Sequence, residues 1–167
     1  MPAQEILLLG NPRLYETAVA VVETELEALQ TVVADLHDTL IAFREKYRVG
    51  RAIAAPQIGV KKRLIYMFID TPTVFINPVL EWKSPETMVL WDDCMSFPEI
   101  LVKVERHRRI RLRYKDLDWQ DRTMELEGDL AELLQHEYDH LDGILAVQRA
   151  LDPYSIALTS QKALLTV

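Results

Sequence analysis

His136-Glu137-Tyr138-Asp139-His140 reads H-E-x-x-H, and the flanking residues predict a helix there. Residues four apart lie on one helical face, so both imidazoles can reach a single cation while Glu137 projects beside it. Two histidines leave a coordination sphere incomplete. The chain has one cysteine, Cys94, and thiolate is a strong ligand for zinc or ferrous iron. Cys94, His136 and His140 with a water in the fourth position would form an open site of the catalytic kind. The pentapeptide alone also fits two ordinary surface histidines, so the rest of the chain decides.

The helix carrying the motif is expected from about Asp129 to Leu141. Leu130, Leu133, Leu134 and Leu141 give it an apolar side, and Gly143 can end it. A longer helix is expected over residues 24–48, where Leu26, Leu29, Val33, Leu36, Leu40, Phe43 and Tyr47 recur at spacings of three and four. Thr24 with Glu27 suggests a capping box, and Gly50 lies just past the end. Residues 63–69 read as a buried strand, and 73–77 and 79–82 as short strands broken at Pro78. Arg109 to Tyr114 alternates strictly, which sends Ile110, Leu112 and Tyr114 inward and the arginines to solvent. Residues 116–121 turn the chain, and 122–127 return as a hairpin partner. One long helix, short strands and a late helix make an α+β domain, expected to be single over residues 1–167.

The 167 residues suffice for one core, and with 49% hydrophobic and 27% charged residues the composition is that of a globular protein. A formal charge of -7 argues against DNA or anionic-membrane binding. The start Met1-Pro2-Ala3-Gln4-Glu5 has no basic leader, and the apolar run Ile6–Leu9 is too short for a signal or a membrane span. A lone cysteine agrees with a reducing compartment, so the cytoplasm is the expected location. No exposed apolar repeat demands a dimer, so a monomer is expected.

Two other segments carry chemistry. Gly50-Arg51-Ala52-Ile53-Ala54-Ala55-Pro56-Gln57-Ile58-Gly59 is rich in small residues that let a ligand or a backbone approach closely. Gln57 offers a neutral amide donor suited to a developing oxyanion. Asp92-Asp93-Cys94-Met95-Ser96 surrounds the cysteine. If Cys94 holds the cation, the Met95 N–H is placed to point at a bound carbonyl.

With these residues in view, the chain resembles the peptide deformylases. The family's ordered segments G-x-G-x-A-A-x-Q, E-G-C-x-S and Q-H-E-x-D-H-L correspond to Gly50–Gln57, Asp92–Ser96 and Gln135–Leu141. The likeness extends from Gly10-Asn11-Pro12 to Gly143-Ile144-Leu145. It implies three small antiparallel sheets around a central metal-binding helix, and removal of the formyl group from N-terminal formyl-methionine of new polypeptides. It implies that Cys94, His136 and His140 hold ferrous iron, replaceable by zinc, nickel or cobalt. It implies that Glu137 is the general base and acid, and that Gln57 and the Met95 amide form the oxyanion hole. Gly50, Arg51, Ala52, Ile53 and Asp93 are expected to border the substrate, an N-formyl-methionyl peptide met at the ribosome. Asp139 is a candidate to orient a ligand imidazole, or else a helix-surface carboxylate.

The chain departs from the family at three places. Ala52 replaces a glycine and narrows the substrate's path. Asp92 replaces a glutamate, with Arg106 the candidate for its arginine partner. Asp93 puts a carboxylate where the family has glycine; it either faces solvent or alters substrate choice. Besides a deformylase, an amidase of altered N-acyl or peptide specificity, an H-E-x-x-H endopeptidase and a non-catalytic metal-binding or ribosome-associated module stay open.

Overall fold

The computed structural model describes residues 3–167; Met1 and Pro2, part of the segment read for a leader, lie outside the described residues. The elements in chain order are α1 (Leu26–Tyr47), β1 (Ala52–Ala54), β2 (Leu64–Phe68), β3 (Pro72–Lys83), β4 (Thr87–Asp92), β5 (Ile100–His107), β6 (Arg109–Lys115), β7 (Asp121–Glu127), α2 (Asp129–Leu141) and β8 (Ile156–Leu158). The strands form two antiparallel ladders, β1-β2-β3-β6-β7 and β4-β5-β8.

The long helix starts with its apolar period at Leu26, two residues later than the expected boundary at 24. A 3-10 turn at Glu23–Glu25 precedes it, and the Val22 N–H donates to Glu25 Oε2 at 2.9 Å. The tighter turn brings Glu25 back onto the entering chain, so this contact takes the place of a Thr24–Glu27 box. Leu29, Leu36, Leu40 and Phe43 are buried as the period requires. The helix ends at Tyr47, one residue short of the expected 48, and is capped by Arg48, which is left-handed at φ 62. Gly50 serves the next step: its φ is +122, and a Cβ there would sit 3.3 Å from Leu40 Cδ1. Glycine lets the chain turn tightly off α1 into β1.

The expected break at Pro78 is absent, because β3 runs through it. The register shifts between Ile76 and Val79, and Asn77 takes φ 48. Asn77 is pinned there by exchanging two 2.8 Å hydrogen bonds with the Val21 backbone. A bulge leaves a residue out of the ladder, so a proline without an N–H forfeits nothing at this point. The two halves of β3 close different groups: residues 72–76 pair with β2 and residues 76–83 with β6. The three small sheets implied by the resemblance therefore appear as two ladders, the larger one bent at this bulge.

In β6, Ile110 and Leu112 are fully buried and Tyr114 nearly so. Arg109, Arg111 and Arg113 face outward and pair with Glu86, Glu125 and Glu81 at 3.0, 2.6 and 2.6 Å. The arginine run is a solvated face, and each exposed pair contributes at most about 1 kcal/mol.

α2 packs against β1, β5 and β7, and Ala131, Leu133, Leu134 and Leu141 enter the core. After it the chain turns at Gly143, φ 71, where a Cβ would collide with the Tyr15 carbonyl. The C-terminal segment adds β8 to the edge of β5, then a 3-10 turn at Thr159–Leu164. No described helix is long and apolar enough to cross a membrane.

Candidate metal centre

Helical period and one loop bring three ligand atoms together. His136 and His140 are one turn apart on α2, and both are buried. The loop after β4 turns Cys94 toward them. His140 Nε2 lies 3.2 Å from His136 Nε2 and 3.4 Å from Cys94 Sγ, and all three atoms fall within 4.8 Å of one another. Ligand atoms about 2.0–2.3 Å from one tetrahedral cation stand about 3.3–3.6 Å apart. The donor set fits the same conclusion: three lone pairs facing each other in a buried space need a cation or a proton between them.

The second nitrogen of one histidine is committed. His136 Nδ1 donates to Asp92 Oδ2 at 2.8 Å, which leaves Nε2 to face the cluster. His140 Nδ1 is buried without a partner. In the metal-free chain, burial works to lower His136, but Asp92 and Cys94 beside it hold it well above the usual imidazole range. Burial and the neighbouring His136 hold His140 well below that range.

Glu137 projects from the same helix, is buried, and keeps Oε2 without a partner. Burial pushes its carboxyl from 4.5 up to about 7, with Asp92, Glu132 and Asp93 pushing the same way against His136. A carboxyl at that value can both take and return a proton near neutrality. Gln57 is oriented by its own turn: its Oε1 accepts from the Ala54 N–H at 2.9 Å. That fixes Nε2 toward the site, 3.2 Å from Ser96 Oγ and 3.7 Å from Cys94 Sγ. The Met95 N–H donates to nothing among the described residues. One neutral donor, Gln57 Nε2, thus borders the ligand cluster.

Behind the ligands runs a buried chain of charge. Arg106 Nη2 donates to Asp92 Oδ2 at 3.1 Å and Nη1 to Asp139 Oδ2 at 2.5 Å. Arg149 grips both oxygens of Asp139, Nε at 2.5 Å and Nη2 at 2.7 Å. Burial would raise Asp92, but His136 and Arg106 hold it below the usual carboxylate value. Asp139 touches no imidazole. The carboxylate that orients a ligand is Asp92, and Asp139 acts on it only through Arg106. The shortfall of one methylene at Asp92 does not prevent the arginine contact.

A cavity of about 590 Å³ opens beside Glu137, and Gly50, Arg51, Ala52, Asp93, Cys94, Met95 and His136 line it. Ile53 does not. Strand alternation turns its side chain into the core against α1, with Leu36 and Leu40. Asp93 is exposed and also borders the cavity. Two groups escaped sequence reasoning. Glu132 lines the cavity and pairs with Arg51 at 3.0 Å, and burial pushes it up to about 7. Its four-residue spacing before His136 was a usable signal. Arg149 lies outside every motif and offered none.

The family model described as polypeptide deformylase matches residues 3–154. A relative from Brucella melitensis named "Peptide deformylase-like" is 40% identical over 152 residues, covering 89% of each chain. A peptide deformylase from Thermotoga neapolitana is 35% identical over 145 residues, covering 86% of this chain and 85% of that protein. The crystal structure of the Thermotoga maritima peptide deformylase superposes with a TM-score of 0.83 at 33% identity, covering 91% of this chain and all of that one. A Synechococcus elongatus peptide deformylase in complex with actinonin gives 0.85 at 29% identity, covering 93% of this chain and 82% of that one.

Proposed function

From the premise that this chain belongs to the polypeptide deformylase family, we propose that it is a metal-dependent hydrolase that removes the formyl group from the N-terminal formyl-methionine of nascent polypeptides. The observation that carries the reading is the convergence of Cys94 Sγ, His136 Nε2 and His140 Nε2, with Cys94, His136 and an unpartnered Glu137 oxygen bordering one cavity. Cys94, His136 and His140 would hold one divalent cation, ferrous iron in the cell, with zinc, nickel or cobalt able to substitute. Thiolate and imidazole suit each of these ions.

A cation in that place supplies Lewis acidity, making water easier to deprotonate and the formyl carbonyl easier to attack. Glu137 takes the proton of the attacking water on its carboxylate and returns it to the amine nitrogen as the C–N bond breaks. Gln57 Nε2 and the Met95 N–H donate to the formyl oxygen as it gains charge. Formate and a free N-terminal amine result. Among the described residues β1 has only β2 as a strand neighbour, so its free edge, with Gly50, Arg51 and Ala52, can lay the substrate backbone beside the ligands. The chain would work as one catalytic domain and a monomer, in the cytoplasm, on chains emerging from the ribosome.

The test is anaerobic hydrolysis of formyl-Met-Ala-Ser with elemental analysis of the protein. Wild type is expected to release formate and to carry about one metal per chain, while Glu137→Ala keeps the metal and loses turnover. Full activity in Glu137→Ala would remove the proton carrier. One observation favours a second reading, an amidase of altered peptide specificity: the charged pair Arg51–Glu132 stands in the cavity wall.

A further inference from the structure

The cavity wall one helical turn before His136 carries a charged pair that the reaction above does not use. Glu132 and His136 are four residues apart on α2, so they share a face and lie about 6 Å apart along its axis. Glu132 Oε1 accepts from Arg51 Nη2 at 3.0 Å. Glu132 Oε2 is buried and has no partner. Arg51 Nη1 donates to Asp129 Oδ2, also at 3.0 Å. One guanidinium therefore answers two carboxylates. Asp129 is 79% exposed and screened by water, whereas the Glu132 side chain is 12% exposed. Asp93 adds a further carboxylate bordering the same cavity.

A buried carboxylate oxygen is stabilised by any ligand that brings it an N–H. A substrate laid along the free edge of β1 with its formyl carbon at His136 carries its first side chain within one residue's reach of that carbon. Glu132, one turn away, is at that range. Resting on the deformylase reading, we propose that Arg51 and Glu132 form a polar floor beneath the substrate's first side chain, and that Glu132 Oε2 accepts a hydrogen bond from it. First residues ending in an amide or ammonium N–H are then taken at least as readily as methionine, whose thioether has no donor to offer. Apolar pockets separate side chains only weakly, whereas a site built around a hydrogen bond discriminates against the analogue that lacks it. The resident carboxylate is thus a specificity determinant for the residue that carries the formyl group.

The experiment compares kcat/KM for formyl-Met-Ala-Ser, formyl-Gln-Ala-Ser and formyl-Lys-Ala-Ser in the metal-loaded wild type, in Glu132→Leu, and in Arg51→Met/Glu132→Leu, which leaves no guanidinium without its buried partner. The glutamine and lysine arms separate an amide donor from a cation. In wild type the Gln/Met and Lys/Met ratios should be one or more, and at least one should fall tenfold or more in both variants. A smaller change in both ratios overturns the proposal. Calorimetry on zinc-loaded protein with the deformylated peptides Met-Ala-Ser and Lys-Ala-Ser reads the pocket without chemistry. If no formyl peptide is hydrolysed, the deformylase reading fails, and the floor is judged on binding alone. Tighter binding of Lys-Ala-Ser that is lost in Glu132→Leu supports it; equal affinities in wild type and variant, or no binding of either peptide, overturn it.

Discussion

Replacing Glu137 by glutamine in the chelated protein is expected to raise stability at alkaline pH and leave it unchanged in acid. Burial lifts the Glu137 carboxyl to about 7 from an ordinary 4.5. One pKa unit is worth about 1.4 kcal/mol, so the fold disfavours the ionised form by about 3 kcal/mol. A carboxyl raised in the folded state is at home when protonated. Its stabilising contribution is complete below pH 4.5 and is lost as pH rises through 7. Glutamine has nearly the same shape and never ionises, so Glu137→Gln should exceed wild type by about 3 kcal/mol at pH 8 and match it near pH 4.5. Asp92 is lowered and titrates in the opposite sense, but it is present in both proteins, so the difference between them isolates Glu137. Urea unfolding at several pH values in excess chelator measures that difference. An advantage that stays constant between pH 4.5 and 8 would falsify the claim that this carboxyl is held in a costly ionised state. The same variant should hydrolyse nothing, because the strained ionisation is what readies the group for proton transfer.

Three more outcomes follow from the same geometry. Arg106→Met leaves Asp92 buried without its cation, and unfolding in urea should show a loss of about 3–5 kcal/mol. Chelator competition should show zinc affinity weakened by about 10–100-fold, as expected when the support behind a ligand is removed. Gln57→Leu should keep its zinc and lose about 10²–10³ in kcat, and loss of metal instead of rate would mean that Gln57 serves the thiolate and not the oxyanion. Ala52→Gly/Asp93→Gly should raise turnover on formyl-methionyl peptides. Unchanged or lower turnover would mean that both residues are neutral or suited to this protein's own substrate.

What could be read from the chain divides by the range of the interactions involved. The spacing of His136, Glu137 and His140 is a property of one helix, and a helix states its faces locally, so the ligand pair was visible at once. β6 was equally plain, since Ile110, Leu112 and Tyr114 alternate with arginines that each find a carboxylate in solvent. β4 and β5 were missed because their alternation is broken from within. β4 buries only Asp92 fully, its other residues being exposed or half-buried, and β5 places Arg106 on a buried side where the pattern calls for an apolar residue. That arginine is tolerable only because Asp92 and Asp139 come to it from elsewhere in the chain. Pro78 misled for a related reason: the bulge that accommodates it depends on Asn77 reaching Val21. Glu132 is the sharpest case. As an acidic residue in the first turn of α2 it reads as an ordinary answer to the helix dipole. Its partner Arg51 lies 81 residues away, and that contact turns it from a helix-end carboxylate into part of the cavity wall. Ligands can be recognised from their type and spacing, but groups that choose among substrates take their character from what the fold sets against them. Such groups change a binding site without changing any motif.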